Sequence, residues 1–368
     1  MSYLGEEIGK LGFGLMRLPR TEDGEIDIPQ VSQMVDAFLD AGFTYFDTAW
    51  IYQGSEEAIA KALVERHPRE SYQLATKGIS WIGCETPEDA QAQFRQSLER
   101  TGAGYFDFYL LHMTGGPRTQ VFEQLGMWEF VAKMKEEGLI RHIGFSHHDK
   151  ADSLDEILTA HPEAEFVQLQ VNYLDWESPV YESRKCMEVA AKHGVPVVVM
   201  EPIRGGLLAN PPASVEAVLK AADPDASCAS WALRFVASQP NIITVLSGMS
   251  TPEQMADNLA TMTDFEKLTD EQMAVVEAAQ AEFAAFDLVP CTACNYCAKV
   301  CPENVGIAGA MLTLNANIMF GTHVQEWINY GGGKQKPSAC IKCHACEDAC
   351  PQGIRIVDEL KRAAEFIG

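Results

Sequence analysis

Phe106-Asp107-Phe108-Tyr109-Leu110-Leu111 is followed by residues 121–137 with apolar side chains at helical spacing, then Gly138, then His142-Ile143-Gly144-Phe145. A short apolar run, a helical stretch, a glycine just past its end and a second apolar run read as strand, helix, turn and strand. The same order of events recurs along the chain. Apolar runs fall at 11–16, 43–47, 72–76, 106–111, 142–145, 166–171, 196–200 and 242–246. Helical patterns lie between most of them, notably at 31–41, 87–101, 121–137 and 183–192, and Gly42, Gly138 and Gly194 punctuate the returns to strand. Eight such units in roughly 250 residues predict a closed α/β structure, the (β/α)8 TIM barrel. An open doubly wound sheet is the alternative, but it has fewer strands and a Gly-rich first turn. Neither G-x-G-x-x-G nor G-x-x-x-x-G-K-[ST] occurs in this chain. Residues 252–286 predict one helix, opened by Pro252.

Beyond the barrel the cysteines take over. Eight of the 11 fall into two copies of one pattern. The first is Cys291-x2-Cys294-x2-Cys297-x3-Cys301-Pro302, and the second is Cys340-x2-Cys343-x2-Cys346-x3-Cys350-Pro351. Two-residue gaps let one tight loop present three thiolates to three corners of a cubane, and the fourth Cys of each motif reaches the other cluster. Two [4Fe–4S] clusters are predicted, one on Cys291, Cys294, Cys297 and Cys350, the other on Cys340, Cys343, Cys346 and Cys301. Zinc is the competing reading of paired CxxC motifs. Cys84, Cys186 and Cys228 are scattered and read as inert core residues. Helical spacing within 303–330 and a terminal helix over 354–366 predict a small, mainly helical ferredoxin-like domain. The division expected is 1–287 for the barrel and 288–368 for the cluster domain.

The chain of 368 residues is 47% hydrophobic, with a net charge of −24. It has enough apolar content for a large core but no apolar run able to span a bilayer. A polyanion disfavours nucleic acid and anionic membrane surfaces. With no signal-peptide pattern at the N-terminus, a cytoplasmic location is expected.

In such a barrel, chemistry gathers where strands end at the C-terminal face. Three apolar strands end in polar residues: Asp47 after Thr44-Tyr45-Phe46, Lys77 after Leu74-Ala75-Thr76, and His112 after Leu110-Leu111. Tyr52 follows Asp47 by five residues. Each alone has a structural explanation as a satisfied histidine, a rim charge or a packing aromatic. Together they form a general acid for carbonyl reduction. A lysine cation stabilises the phenolate and lowers the tyrosine pKa, Asp47 orients the lysine, and His112 hydrogen-bonds the substrate carbonyl.

These residues, with Gly12-Phe13-Gly14-Leu15-Met16-Arg17-Leu18-Pro19, Phe46-Asp47-Thr48-Ala49, Ala75-Thr76-Lys77, Leu110-Leu111-His112 and Ile143-Gly144-Phe145-Ser146, resemble the aldo-keto reductase family over about residues 8–285. The whole resembles that family's iron–sulfur subgroup. The resemblance implies a catalytic tetrad of Asp47, Tyr52, Lys77 and His112, with Tyr52 as proton donor to a small-molecule carbonyl substrate. It implies a nicotinamide, NADP(H) or NAD(H), bound without a Rossmann motif. On that pattern Ser146 and Gln170 hold the carboxamide, Asn258 contacts the adenine end, and Met200 occupies the place of a tyrosine that stacks on the nicotinamide. Arg204 reads either as a pyrophosphate contact or as a surface charge. The segment Ser247-Gly248-Met249-Ser250-Thr251-Pro252-Glu253-Gln254 has no Lys or Arg for a 2′-phosphate. Trp50, Trp81, Met113 and Trp176 are candidate linings of an apolar pocket.

A nicotinamide delivers two electrons as hydride, whereas a cubane passes one at a time. Three readings follow. The barrel reduces carbonyls while the clusters serve a ferredoxin or flavoprotein partner or stabilise the fold. Alternatively, the clusters feed electrons to a substrate held at Tyr52. In the third, the barrel is an idle scaffold of an electron-transfer subunit.

Overall fold

The computed structural model describes residues 2–178, 181–291, 296–320, 333–350 and 353–367. Cys294 and Pro351 lie outside these. Two compact units are present: Met1–Asn210 with Leu219–Val276, and Pro211–Val218 with Glu277–Gly368.

The first unit is a closed parallel barrel of eight strands. They are β1 (Leu11–Gly14), β2 (Tyr45–Asp47), β3 (Gln73–Gly78), β4 (Phe106–Thr114), β5 (Ile140–His147), β6 (Phe166–Gln170), β7 (Val197–Met200) and β8 (Ile242–Ser247). Each predicted apolar run contributes one strand, because a parallel strand covered on both faces needs continuous apolar sequence. β8 pairs with β1 through Val245 opposite Leu11, which closes the ring. Gly42, Gly138 and Gly194 adopt φ of +85°, +78° and +71° where helices return to strands. That left-handed backbone is the helix-ending conformation glycine accepts without steric cost.

The barrel interior is filled, not hollow. Tyr45, Ala75, Phe108, Leu110, Phe166, Val198 and Ile243 form one cluster, against which Tyr3 and Leu4 pack. Tyr3 and Leu4 belong to an N-terminal antiparallel ribbon, Ser2–Tyr3 against Glu6–Glu7.

Two helical expectations needed correction. Residues 121–137 divide into Pro117–Gln124 and Met127–Glu136, because Gly126 at φ +60° cannot continue the first helix. Residues 252–286 divide into Pro252–Thr263 and Asp270–Ala284. Between them Leu268 turns inward, its backbone N–H donates to Ser238 Oγ at 2.9 Å, and Thr269 caps the second helix by accepting from Gln272 N at 3.3 Å. Burial of one leucine and a fresh cap outweigh the helical periodicity that runs across both.

The second unit is helical in its described residues, with Tyr296–Val300, Ile307–Phe320, Ala345–Asp348 and Ile356–Ile367. Val305, Ile307, Met311, Leu314, Ile356 and Leu360 supply its core.

Candidate functional site

Side chains of a strand alternate between two faces, so positions two apart share a face. In β2, Tyr45 packs in the barrel interior, and Asp47 therefore points the same way one step higher. In β3 the pair is Ala75 and Lys77. In β4 it is Phe108, Leu110 and then His112. The polar residues that end these strands are the top layer of the barrel's own filling. All three are buried: Lys77 is fully inaccessible, Asp47 3% exposed and His112 5% exposed.

Lys77 Nζ donates to Asp47 Oδ1 and, at 2.7 Å, to the Thr48 carbonyl. The other Asp47 oxygen accepts from Gln168 Nε2 at 3.0 Å. Sequence reasoning did not single out Gln168. Its signal was available, since it lies between Phe166 and Gln170 on one face of β6. Burial disfavours charge on both members of the ion pair. For Lys77 the Asp47 carboxylate and the Tyr52 phenol outweigh it, and the lysine holds its proton more firmly than a free one. For Asp47 burial raises the pKa, and Lys77 and Gln168 oppose it.

Tyr52 arrives from the loop after β2. Thr48 N–H donates to the Ala75 carbonyl at 2.9 Å and Trp50 N–H to the Lys77 carbonyl at 3.0 Å, which ties the loop to β3. A Thr48–Ser55 hydroxyl contact of 2.8 Å fixes its return. The Lys77 ammonium lies 5.1 Å from the Tyr52 ring centroid, and the His112 ring meets Tyr52 edge-on at 5.9 Å. Asp47, Lys77, Tyr52 and His112 are thus brought together. The expectation about tyrosine acidity is only half met. Burial raises the Tyr52 pKa above the ordinary tyrosine value, and the Lys77 charge and hydrogen bond pull against that rise without overcoming it. Burial, with Lys77, His148 and Arg118 nearby, drives the His112 pKa well below the usual histidine range. His112 is therefore neutral, and its Nδ1 is buried without a hydrogen-bond partner among the described residues.

The remaining barrel candidates are more dispersed. Ser146, fully buried near the end of β5, accepts from Met113 N at 2.8 Å. Gln170 and Arg204 both donate to Asp175 Oδ2, at 2.9 and 3.1 Å. Arg204 is thus neither a free surface charge nor an unengaged anion ligand. Asn258 is buried and donates to Ser247 Oγ at 2.9 Å, joining the helix after β8 to that strand's end. Met200 ends β7. Met113, Glu201 and Arg204 adopt φ of +64°, +55° and +46°. Non-glycine residues in this region carry strain; Met113 directly follows His112 within β4, and Glu201 and Arg204 lie in the segment after β7. Among the candidate pocket residues, Trp81 donates to the His112 carbonyl at 3.0 Å and Trp50 to Gln96 at 2.9 Å, while Trp176 packs edge-on against Phe235.

In the second unit one cleft is lined by Cys301, Cys340, Cys343 and Cys346, with Ile307, Val357 and Leu360 as apolar wall. These are the first three cysteines of the second motif and the last of the first. Lys342 and His344 take φ of +60° and +62° on either side of Cys343, bending the loop around the cleft. Cys301 Sγ accepts from Val305 N at 3.4 Å, the kind of hydrogen bond that tunes a cluster sulfur. The donor set and apolar wall fit a cubane. No group of three or more His, Cys, Asp or Glu among the described residues converges as a single-ion site. Cys297 belongs to the unit's core, and Cys291 and Cys350 pack against it. Of the other three cysteines, Cys186 and Cys228 are buried as expected, but Cys84 is only half-buried and receives Gln93 Nε2 at 3.3 Å. No helix among the described residues is long and apolar enough to cross a membrane.

Comparison with known proteins places these features. The aldo/keto reductase family model matches residues 10–281, and that of a 4Fe-4S dicluster domain matches residues 290–354. An aldo-keto reductase of Mycolicibacterium vanbaalenii is 33% identical over 259 residues, covering 69% of this chain and 85% of that protein. The NADH-specific methylglyoxal reductase of Escherichia coli is 27% identical, over 62% of this chain and 82% of its own. Aldo-keto reductase AKR11C1 from Bacillus halodurans, in its holo form, superposes with a TM-score of 0.61 at 25% identity, covering 75% of this chain and 93% of that one. The chain belongs to the aldo/keto reductase family, and is an oxidoreductase whose barrel is followed by a 4Fe-4S domain.

Proposed function

We propose that this protein reduces a small aldehyde or ketone, with Tyr52 delivering the proton to the carbonyl oxygen. The observation that carries the proposal is the fully buried Lys77, held between Asp47 and the Thr48 carbonyl with its charge bearing on Tyr52. A buried cation fixed beside a phenol stabilises the phenolate that forms as the proton leaves. Neutral His112 donates to the carbonyl oxygen and orients it. Burial keeps Tyr52 protonated at rest, which is the form a proton donor needs.

Ser146, Gln170, Met200, Arg204 and Asn258 are the residues proposed to hold the nicotinamide. Buried Ser146 accepts one hydrogen bond, which leaves its own hydroxyl proton to donate to a carboxamide. When bound, the nicotinamide supplies the hydride, two electrons for the carbonyl carbon. The absence of Lys and Arg from residues 247–254 and the NADH-specific relative both support NADH over NADPH.

In the second unit, two [4Fe–4S] clusters are proposed, on Cys291, Cys294, Cys297 and Cys350 and on Cys301, Cys340, Cys343 and Cys346. They supply one-electron transfer, and a ferredoxin or flavoprotein is the class of partner that matches it. The testing experiment is anaerobic carbonyl-dependent NADH oxidation by the wild type and by Cys343→Ser. Retained turnover in the variant is expected. Turnover that needs a low-potential donor and disappears in Cys343→Ser would instead assign reduction to the clusters.

A further inference from the structure

Above His112 stands a cation that the tetrad does not use. Arg118 opens the helix Pro117–Gln124 that follows β4. Its guanidinium lies over the Trp81 ring at 5.6 Å, and Trp81 is itself pinned to the His112 carbonyl at 3.0 Å. Its one hydrogen bond among the described residues is long, Nη2 to the His148 carbonyl at 3.5 Å. Its Nε is buried with no partner among the described residues.

No carboxylate among the described residues lies within ion-pair distance of Arg118, although the chain has 52 acidic residues. The neighbouring acid, Asp149, is committed elsewhere: one oxygen accepts from Gly116 N at 2.9 Å and the other from Lys150 N at 2.8 Å. The His112 pKa is lowered mainly by burial, with Lys77, His148 and Arg118 adding to it, so the Arg118 charge bears on the site. Stacking on an aromatic face holds a guanidinium plane in place, and Nη1, which makes no hydrogen bond among the described residues, is left to donate to an oxyanion. An arginine with a buried unpaired donor beside a reduction site is matched by a ligand that brings its own negative charge.

We infer that Arg118 is a specificity-determining residue: the substrate is an aldehyde or ketone that also bears a carboxylate or phosphate, which Arg118 grips while the carbonyl faces Tyr52 and His112. This rests on the carbonyl-reductase reading and names its substrate class.

Two matched pairs test it: 4-oxobutanoate against its methyl ester, and glyceraldehyde 3-phosphate against glyceraldehyde. The full-length, cluster-loaded protein is assayed for NADH-dependent turnover and titrated calorimetrically with each. At least one anionic member is expected to be preferred by on the order of tenfold to a hundredfold, the range of a charge-assisted hydrogen-bonded pair. The preferred pair tells carboxylate from phosphate. In Arg118→Met the ratio should fall toward one, and Arg118→Lys, which keeps charge but loses the fork, should retain part of it. Equal binding and turnover within both pairs, or a preference that survives Arg118→Met, would overturn the inference. Anion-selective binding without turnover of any of the four would leave the site standing and defeat the reductase reading instead.

Discussion

The two ends of the barrel both bury paired charge, and they differ in what stands beside it. At the N-terminal end buried Asp107 and half-buried Glu165 are saturated. Asp107, fully inaccessible, accepts from Arg69 at 2.7 Å, Leu74 N at 2.8 Å and Arg141 at 3.0 Å. Glu165 accepts from Ile143 N at 2.9 Å, and from Lys135 Nζ and His142. At the C-terminal end the partners stop short. His112 Nδ1 and Arg118 Nε have no partner among the described residues, and Met113, Glu201 and Arg204 sit at positive φ. Saturated carboxylates at one end stabilise the fold; at the other the Asp47–Lys77 pair is equally satisfied but stands beside two nitrogens, His112 Nδ1 and Arg118 Nε, that have no partner among the described residues.

The contrast would break most visibly at Lys77. Lys77→Met strands the buried Asp47 carboxylate, so it should abolish turnover and also cost about 3–5 kcal/mol of barrel stability; a folded, active variant in thermal unfolding and steady-state assays would contradict both. Asp107→Ala sharpens the comparison. It should cost about 3 kcal/mol by the same mechanism, yet leave kcat of the folded protein within about twofold. A large loss of kcat there would mean the two ends are not separable.

Smaller effects concern protons. Glu165 has a folded pKa lowered to about 2 by its His142 and Lys135 hydrogen bonds working against burial. A carboxylate depressed in the folded state stabilises above its unfolded value near 4.5 and loses that contribution as pH falls toward about 2. The acid-unfolding curve of Glu165→Gln should therefore flatten in that window, with about 1–2 kcal/mol less stability at neutral pH. On the activity side, reduction needs protonated Tyr52. kcat/KM should be flat through neutrality, because His112 is already neutral there, and fall only in alkali. A rate inflection in the ordinary histidine range would show that His112 titrates where this structure says it does not.

Much of this arrangement could be read from the chain. Eight apolar runs with glycine punctuation predict the closed barrel, because burial on both faces forces continuous apolar strands and the returns need left-handed backbone. Asp47, Lys77 and His112 stood out as polar residues at apolar strand ends. Gln168 did not, since it sits within a strand and only the period of two reveals that it shares a face with Phe166. Arg118 was hidden in an ordinary polar helix start, and its meaning comes from a tryptophan 37 positions earlier and from the acids that fail to reach it. The divided helices at Gly126 and Leu268 were masked by periodicity that continues across the break. The pull of Lys77 on the Tyr52 pKa was legible because charge patterns are visible in sequence, and the burial that outweighs it was not.

The measurement that tests the account most directly is anaerobic NADH-dependent carbonyl reduction by Tyr52→Phe, with cluster content and unfolding temperature measured on the same preparation. The account predicts a loss of on the order of 10²–10⁴ in kcat/KM with both other quantities unchanged. A variant within about threefold of the wild type would show that the proton does not come from Tyr52.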